Sequence, residues 1–190
     1  MNTRSILLAG VGGQGIILAS KIITEGLIRL GYDVKMSEIH GMSQRGGSVT
    51  TQIRYGEKVY APNIGIGEAD IIIAFEKAEA LRMLPYLRTG GALITDEFEI
   101  YPVPVLAGQA EYPNDAIDSI REVLSNIHVI PAARVANELG STRSQNIVLL
   151  GALVRTLELS GIDWRELVAE MVPARSVEIN LKAYDAGYAI

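Results

Sequence analysis

The chain has 190 residues, with 17 Lys and Arg against 22 Asp and Glu, for a formal charge of −5 at pH 7. With 48% hydrophobic residues it can bury one substantial core, so residues 1–190 are read as a single domain. The absence of cysteine excludes disulfides, thiolate zinc sites, a cysteine nucleophile and cysteine-ligated iron–sulfur clusters on this chain, and the acidic balance argues against nucleic acid as a partner.

Residues 4–9 form a short continuous apolar run, the pattern of a buried strand. Gly10-Val-Gly12-Gly13-Gln14-Gly15 follows at once. Ile16, Ala19, Ile23, Leu27 and Leu30 then keep helical spacing until Gly31, which suits a C-cap. The uncharged stretch 5–20 is too short and too rich in glycine to span a bilayer and lacks a leader's cleavage site, so the expected location is the cytoplasm, with no membrane partner. A second strand over 33–38 completes a βαβ start with parallel strands. Val49, Thr51, Ile53 and Tyr55 alternate with Thr50, Gln52 and Arg54, as in a strand with one wet face. Gly56-Glu57 suits a type II′ turn into residues 58–60, which predicts a β-hairpin.

Residues 70–75 and 91–95 read as further buried strands, separated by a helix over 77–87. A proline-bearing loop at 101–113, a polar helix over 116–125 and a last core strand at 128–130 follow. The remainder is helical. Residues 147–154 are apolar on nearly every face, which predicts a helix buried in the core or against another subunit. Asp163-x-x-Glu166 has the form of a capping box, and Val177, Leu181, Tyr184 and Tyr188 line one face of a terminal helix. The predicted fold class is α/β, a Rossmann-like layered fold with a mostly parallel sheet, an inserted β-hairpin and a helical C-terminal region.

Gly10-x-Gly12-x-x-Gly15 matches the dinucleotide fingerprint in its required setting, strand before and helix after, with Glu38 placed to take ribose hydroxyls. Glycines let the backbone approach an anion, and a helix start carries about half a unit of positive charge. Equally, the glycines can serve close helix–strand packing, and both readings stay open. After Glu38 a dinucleotide fold normally enters another crossover helix, whereas this chain places Glu38, His40, Gln44 and Arg45 among Gly41, Gly46 and Gly47. Arg45 could clamp a phosphate or carboxylate through its planar fork, with Gly46 and Gly47 admitting the ligand; its alternative is a solvated surface arginine. His40 is a general base or a structural histidine. His128, inside an apolar run, is read as structural. Two isolated histidines without cysteine make no metal site. Asp96, Glu97 and Glu99 have the chemistry of a metal site or a catalytic pair, but are read as a solvated loop after a strand. No catalytic residue is assigned.

The glycine loop, together with Glu38-Ile-His40-Gly41-Met42-Ser43-Gln44-Arg45-Gly46-Gly47-Ser48-Val49, resembles the gamma-type subunits of 2-oxoacid:ferredoxin oxidoreductases. The resemblance extends over essentially the whole chain, including Asn180-Leu-Lys-Ala-Tyr-Asp-Ala-Gly187-Tyr. His40-Gly41-Met42-Ser43-Gln44 stands where relatives acting on pyruvate or 2-oxoglutarate tend to carry a Tyr-Gly pair and an acidic residue. The resemblance thus implies the branch that oxidatively decarboxylates aryl 2-oxoacids such as indolepyruvate, with coenzyme A and ferredoxin as co-substrates. It implies that thiamine diphosphate, magnesium and iron–sulfur clusters reside on a larger partner subunit, since this chain has neither a Gly-Asp-Gly signature nor a cysteine. The chain is then an accessory subunit, inactive alone, that reaches ferredoxin through the complex. Gly10, Gly12, Gly13, Gln14, Gly15, Glu38, His40, Gln44, Arg45, Gly46 and Gly47 form its expected interface or anion-binding set, coenzyme A being one candidate anion. The alternatives are a self-sufficient NAD- or FAD-dependent oxidoreductase, a pyruvate- or 2-oxoglutarate-specific gamma subunit, and an assembly protein whose glycine loop binds nothing. Whether the isolated chain forms a homodimer stays open.

Overall fold

The computed structural model describes residues 3–41 and 47–190; Gln44, Arg45, Gly46 and the His40 side chain lie outside the described residues. Arg4–Val11 forms β1, in which Ile6, Leu7 and Leu8 are each no more than 1% exposed. Successive strand side chains point to opposite faces, so a strand buried this evenly must be covered on both. The chain continues through α1 (Ile16–Arg29), β2 (Asp33–His40), β3 (Ser48–Gly56) and β4 (Ala69–Ala74). Next come α2 (Lys77–Met83), β5 (Leu87–Asp96), the single turn α3 (Val103–Leu106), α4 (Ala116–Val123) and β6 (Ile127–Ile130). A helical region of α5 (Ala132–Glu138), α6 (Gln145–Thr156), α7 (Trp164–Met171) and α8 (Val177–Ala189) follows.

The strands form one six-stranded sheet in the order β2-β3-β1-β4-β5-β6. β1, β4, β5 and β6 run parallel, and β3 lies antiparallel to both of its neighbours. Ile6, Leu8, Ile71, Ile73 and Ile94 point into a core with α1, α6, α7 and α8; Leu7, Ala9, Ile72, Ala74 and Leu93 face α2 and α4 through Ala80, Met83 and Ile120. This is the layered α/β fold read from the sequence, with no helix among the described residues long and apolar enough to cross a membrane.

Several local expectations need correction. β3 separates β2 from β1, so the first two strands share a direction without being neighbours. The hairpin exists, but its arms are β2 and β3 and its connection is the loop after His40. Residues 58–60 form no strand, because β1 and β2 already occupy both edges of β3; the Val59 amide instead donates to Asp33 Oδ2 at 2.9 Å. The α2 helix stops at Met83, and Pro85 lies in the short 3-10 turn that leads into β5. His128 is exposed on the edge strand β6, 3.2 Å from Asn126 Oδ1, not enclosed by the apolar run around it.

Every residue of α6 from Gln145 to Val154 is buried, as its all-round apolar character requires. α6 and α8 cross with their backbones almost touching. A Cβ on Gly187 would lie 1.9 Å from the Val148 carbonyl oxygen, and one on Gly151 2.3 Å from that of Tyr184. Asp163 caps α7 by accepting from the amides of Arg165 and Glu166 at 2.9 and 3.1 Å, the N-terminal signal expected there. On α8 the buried face runs through Asn180, Ala183, Tyr184 and Gly187.

Candidate functional site

The glycine loop lies at the carboxyl ends of β1 and β4, where α/β sheets place their ligands. Gly13 and Gly15 adopt φ of 107° and 75°, in the left-handed region that favours glycine, and a side chain on Gly13 would meet nothing within 4 Å. Gly10 is there for packing: its Cβ would stand 2.7 Å from Gln14 Oε1 and 2.9 Å from Phe75 Cβ.

Gln14 turns inward. Its Oε1 accepts from the Val11 amide at 2.7 Å, and its Nε2 donates to the Phe75 carbonyl at 2.7 Å. Gln145 donates to that same carbonyl at 2.9 Å and to Asp96 Oδ2 at 2.8 Å. Asp96 is fully buried and also accepts from the amides of Ala133 at 2.7 Å and Phe98 at 3.2 Å. Burial pushes its carboxyl above the ordinary aspartate value, and these donors offset the rise only in part. Asp96 is therefore no solvated loop residue; it ties the ends of β5, α5 and α6 together. Glu97 and Glu99 are exposed, as expected.

Asn146 Nδ2 donates to the Gly15 carbonyl at 3.0 Å, which brings the start of α6 against the start of α1. Neither helix has an acidic residue in its first turn. The amides that open a helix lack intrahelical partners, so two partial positive ends meet at this loop. Its own amides are not all free. Gly12 N donates to the Gly47 carbonyl at 2.9 Å and Gln14 N to that of Val11 at 3.2 Å. The first contact also seats the second glycine segment on the first. Glu38 is half-buried and pairs in register with Thr51, on the face covered by α1. The His40 backbone pairs with Val49, and Gly41 N donates to the Ser48 carbonyl at 3.1 Å, closing the base of the loop. Arg45, Gln44 and Gly46 fall outside the described residues.

Beside this network lies a second buried cluster that sequence reasoning missed. Glu76, 1% exposed, caps α2 by accepting from Glu79 N at 2.9 Å, and it takes further hydrogen bonds from Ile100 N and the Tyr112 hydroxyl. Burial and the adjacent Glu76 carboxylate push the Tyr112 phenol well above its ordinary value. Lys77 pairs with Glu99, donates to the Asn114 carbonyl at 3.0 Å and stands 5.4 Å from the Tyr112 ring centre. All these groups are satisfied, so the cluster clamps the 97–114 segment onto β4 and α2. The sequence signal for the first network was the Gln145-Asn146 pair opening an otherwise apolar helix. Among the described residues, no three His, Asp or Glu side chains are grouped to hold a metal ion.

Comparison with known proteins agrees with this architecture. The pyruvate ferredoxin/flavodoxin oxidoreductase family matches residues 5–190. Indolepyruvate oxidoreductase subunit IorB of Pyrococcus horikoshii is 38% identical over 98% of this chain and 95% of its own length. The subunit of the same name from Archaeoglobus fulgidus is 38% identical over 97% and 93%. Among solved structures, the gamma subunit of a keto/oxoacid ferredoxin oxidoreductase from Geobacter sulfurreducens superposes with a TM-score of 0.71 at 24% identity, covering 98% of this chain and 96% of that one. The 2-oxoglutarate:ferredoxin oxidoreductase of Magnetococcus marinus gives 0.76 at 24% identity; this chain is covered completely and spans 31% of that longer one. The chain belongs to the pyruvate ferredoxin/flavodoxin oxidoreductase family.

Proposed function

We propose that the chain is the small accessory subunit of a ferredoxin-dependent oxidoreductase that converts aryl 2-oxoacids of the indolepyruvate type to aryl-acetyl coenzyme A and carbon dioxide. The observation that carries this reading is the near-full-length identity of 37–38% to indolepyruvate oxidoreductase subunits from four archaea, against 29% to a 2-oxoglutarate synthase subunit. Thiamine diphosphate, magnesium and iron–sulfur clusters belong to the larger partner in this reading. A chain without cysteine supplies no thiolate for clusters, and the buried carboxylates Asp96 and Glu76 are already engaged by protein donors. Gly13, Gly15 and the opening turn of α1, together with Arg45, receive an anionic part of coenzyme A in this reading; Glu38, His40, Gln44, Gly46 and Gly47 belong to the segment that meets the partner. Gly10, Gly12 and Gln14 shape the loop. A self-sufficient dinucleotide enzyme is disfavoured, because the amides of Gly12 and Gln14 serve the protein itself.

The test is anaerobic copurification of the tagged chain from its host, followed by thiamine- and coenzyme A-dependent dye reduction with indolepyruvate, pyruvate and 2-oxoglutarate in parallel. Recovery of a large iron–sulfur partner with preference for indolepyruvate supports the reading. A chain that emerges alone with a bound nucleotide overturns it. In the active complex, Arg45→Ala raises the KM for coenzyme A; an unchanged KM removes Arg45 from the site.

A further inference from the structure

At the amino ends of β1, β4 and β5, opposite the glycine loop, a recess of about 830 Å³ opens between the sheet and the last turns of α1 and α6. Its size is that of a small-molecule site. Three departures from ordinary local chemistry converge on it. The Arg4 guanidinium has no carboxylate partner among the described residues, since neighbouring Asp70 is occupied by Arg88 Nε at 2.7 Å and by the Ser5 amide at 2.7 Å. Tyr55 is 3% exposed, yet its hydroxyl makes no hydrogen bond of normal geometry, although Arg4 lies beside it. Glu158 sits at a φ of 51°, the only non-glycine residue at positive φ among the described residues, just beyond α6, where glycine is the usual occupant.

We propose that this recess binds a small monocarboxylate with an apolar body. The carboxylate seats on the exposed Arg4 guanidinium and, as Arg4 turns aside from the Tyr55 hydroxyl beside it, accepts from that hydroxyl, so one ligand engages both groups. The apolar body lies against Leu30, Leu159 and the edge-to-face pair of Tyr32 and Tyr55, whose ring centres are 5.2 Å apart. A phosphate dianion fits less well. One guanidinium without a carboxylate partner can pair with a single negative charge, while Glu158 and the partial negative charge at the carbonyl ends of α1 and α6 oppose a second. The eight-residue length of β1 puts the recess roughly 23 Å from the glycine loop, so the two bind separate ligands.

The full-length chain is titrated with phenylacetate, phenylacetamide and inorganic phosphate while backbone amides are followed by NMR. Phenylacetate is expected to give saturable shifts at Arg4, Tyr55 and Glu158, with binding about tenfold tighter than phenylacetamide. Arg4→Met abolishes the difference between acid and amide. Tyr55→Phe weakens the acid alone while leaving the melting temperature unchanged or raised, because the deleted hydroxyl makes no hydrogen bond of normal geometry. Equal binding of acid and amide, tighter binding of phosphate, unchanged affinity in Arg4→Met, or no saturable shift at these amides overturns the proposal.

Discussion

Gln14 and Gln145, 131 positions apart, donate to one acceptor, the carbonyl of Phe75, at 2.7 and 2.9 Å. Phe75 is itself fully buried just past the end of β4, so this carbonyl depends on side chains from the glycine loop and α6 for its hydrogen bonds. The pair joins three segments that are distant in the chain.

Removing either glutamine leaves the carbonyl one donor; removing both leaves it bare. Gln14→Ala and Gln145→Ala are each expected to cost about 1–2 kcal/mol, and the double variant about 1 kcal/mol more than their sum. Denaturant unfolding of the four proteins measures the coupling. Strict additivity would show that the shared acceptor is not their link.

Asp96 sets a pH dependence. Its native pKa is raised above the ordinary 3.8, so between that value and the raised one the folded state holds more protons than the unfolded state. Stability from this group is present below the ordinary value and is lost as pH rises through the window. Asp96→Asn removes that slope, and its stability relative to the parent improves as pH rises. Unfolding curves at pH 4.5 and 7.5 check the sign; a relative loss at the higher pH contradicts it.

The α6–α8 crossing tolerates no side chain at Gly187, where a Cβ would stand 1.9 Å from backbone oxygen. Gly187→Ala is expected to destabilise by about 3 kcal/mol, the upper part of the range for overpacked cores. Thermal unfolding provides the readout. A melting temperature within a degree of the parent would mean that the helices part without cost.

Tyr112 holds the 97–114 segment through Glu76. Tyr112→Phe keeps the ring but removes the donor, at an expected cost of about 1.5 kcal/mol, as for a bond to a charged acceptor. Hydrogen exchange at Ile100, whose amide donates to the same Glu76 carboxylate, should accelerate while exchange in β1 stays slow. Unchanged exchange at Ile100 would dissociate the clamp from Tyr112.

Much of this molecule is legible in its sequence wherever local chemistry decides. The unbroken apolar runs of β1 and β4, the periodicity of α1, the glycines between strand and helix, and the all-round apolar α6 each declare their element, because burial on both faces or all sides leaves no other composition. The family resemblance is carried by the glycine loop, residues 38–49 and the 180–188 ending.

What the tertiary structure alone decided is which groups meet. Nothing local in residues 48–56 specifies that β3 slots between β2 and β1, since one strand pattern pairs with either edge. The loop fingerprint does not reveal that Gln14 faces inward, nor that the Gly12 amide is taken by Gly47. Asp96 looked solvated because it follows a strand, and His128 looked enclosed because its neighbours are apolar; the donors around one and the open edge beside the other come from distant parts of the chain. Periodicity fixes which face of an element is buried, but a hydrogen-bond partner remote in sequence is chosen only when the layers pack.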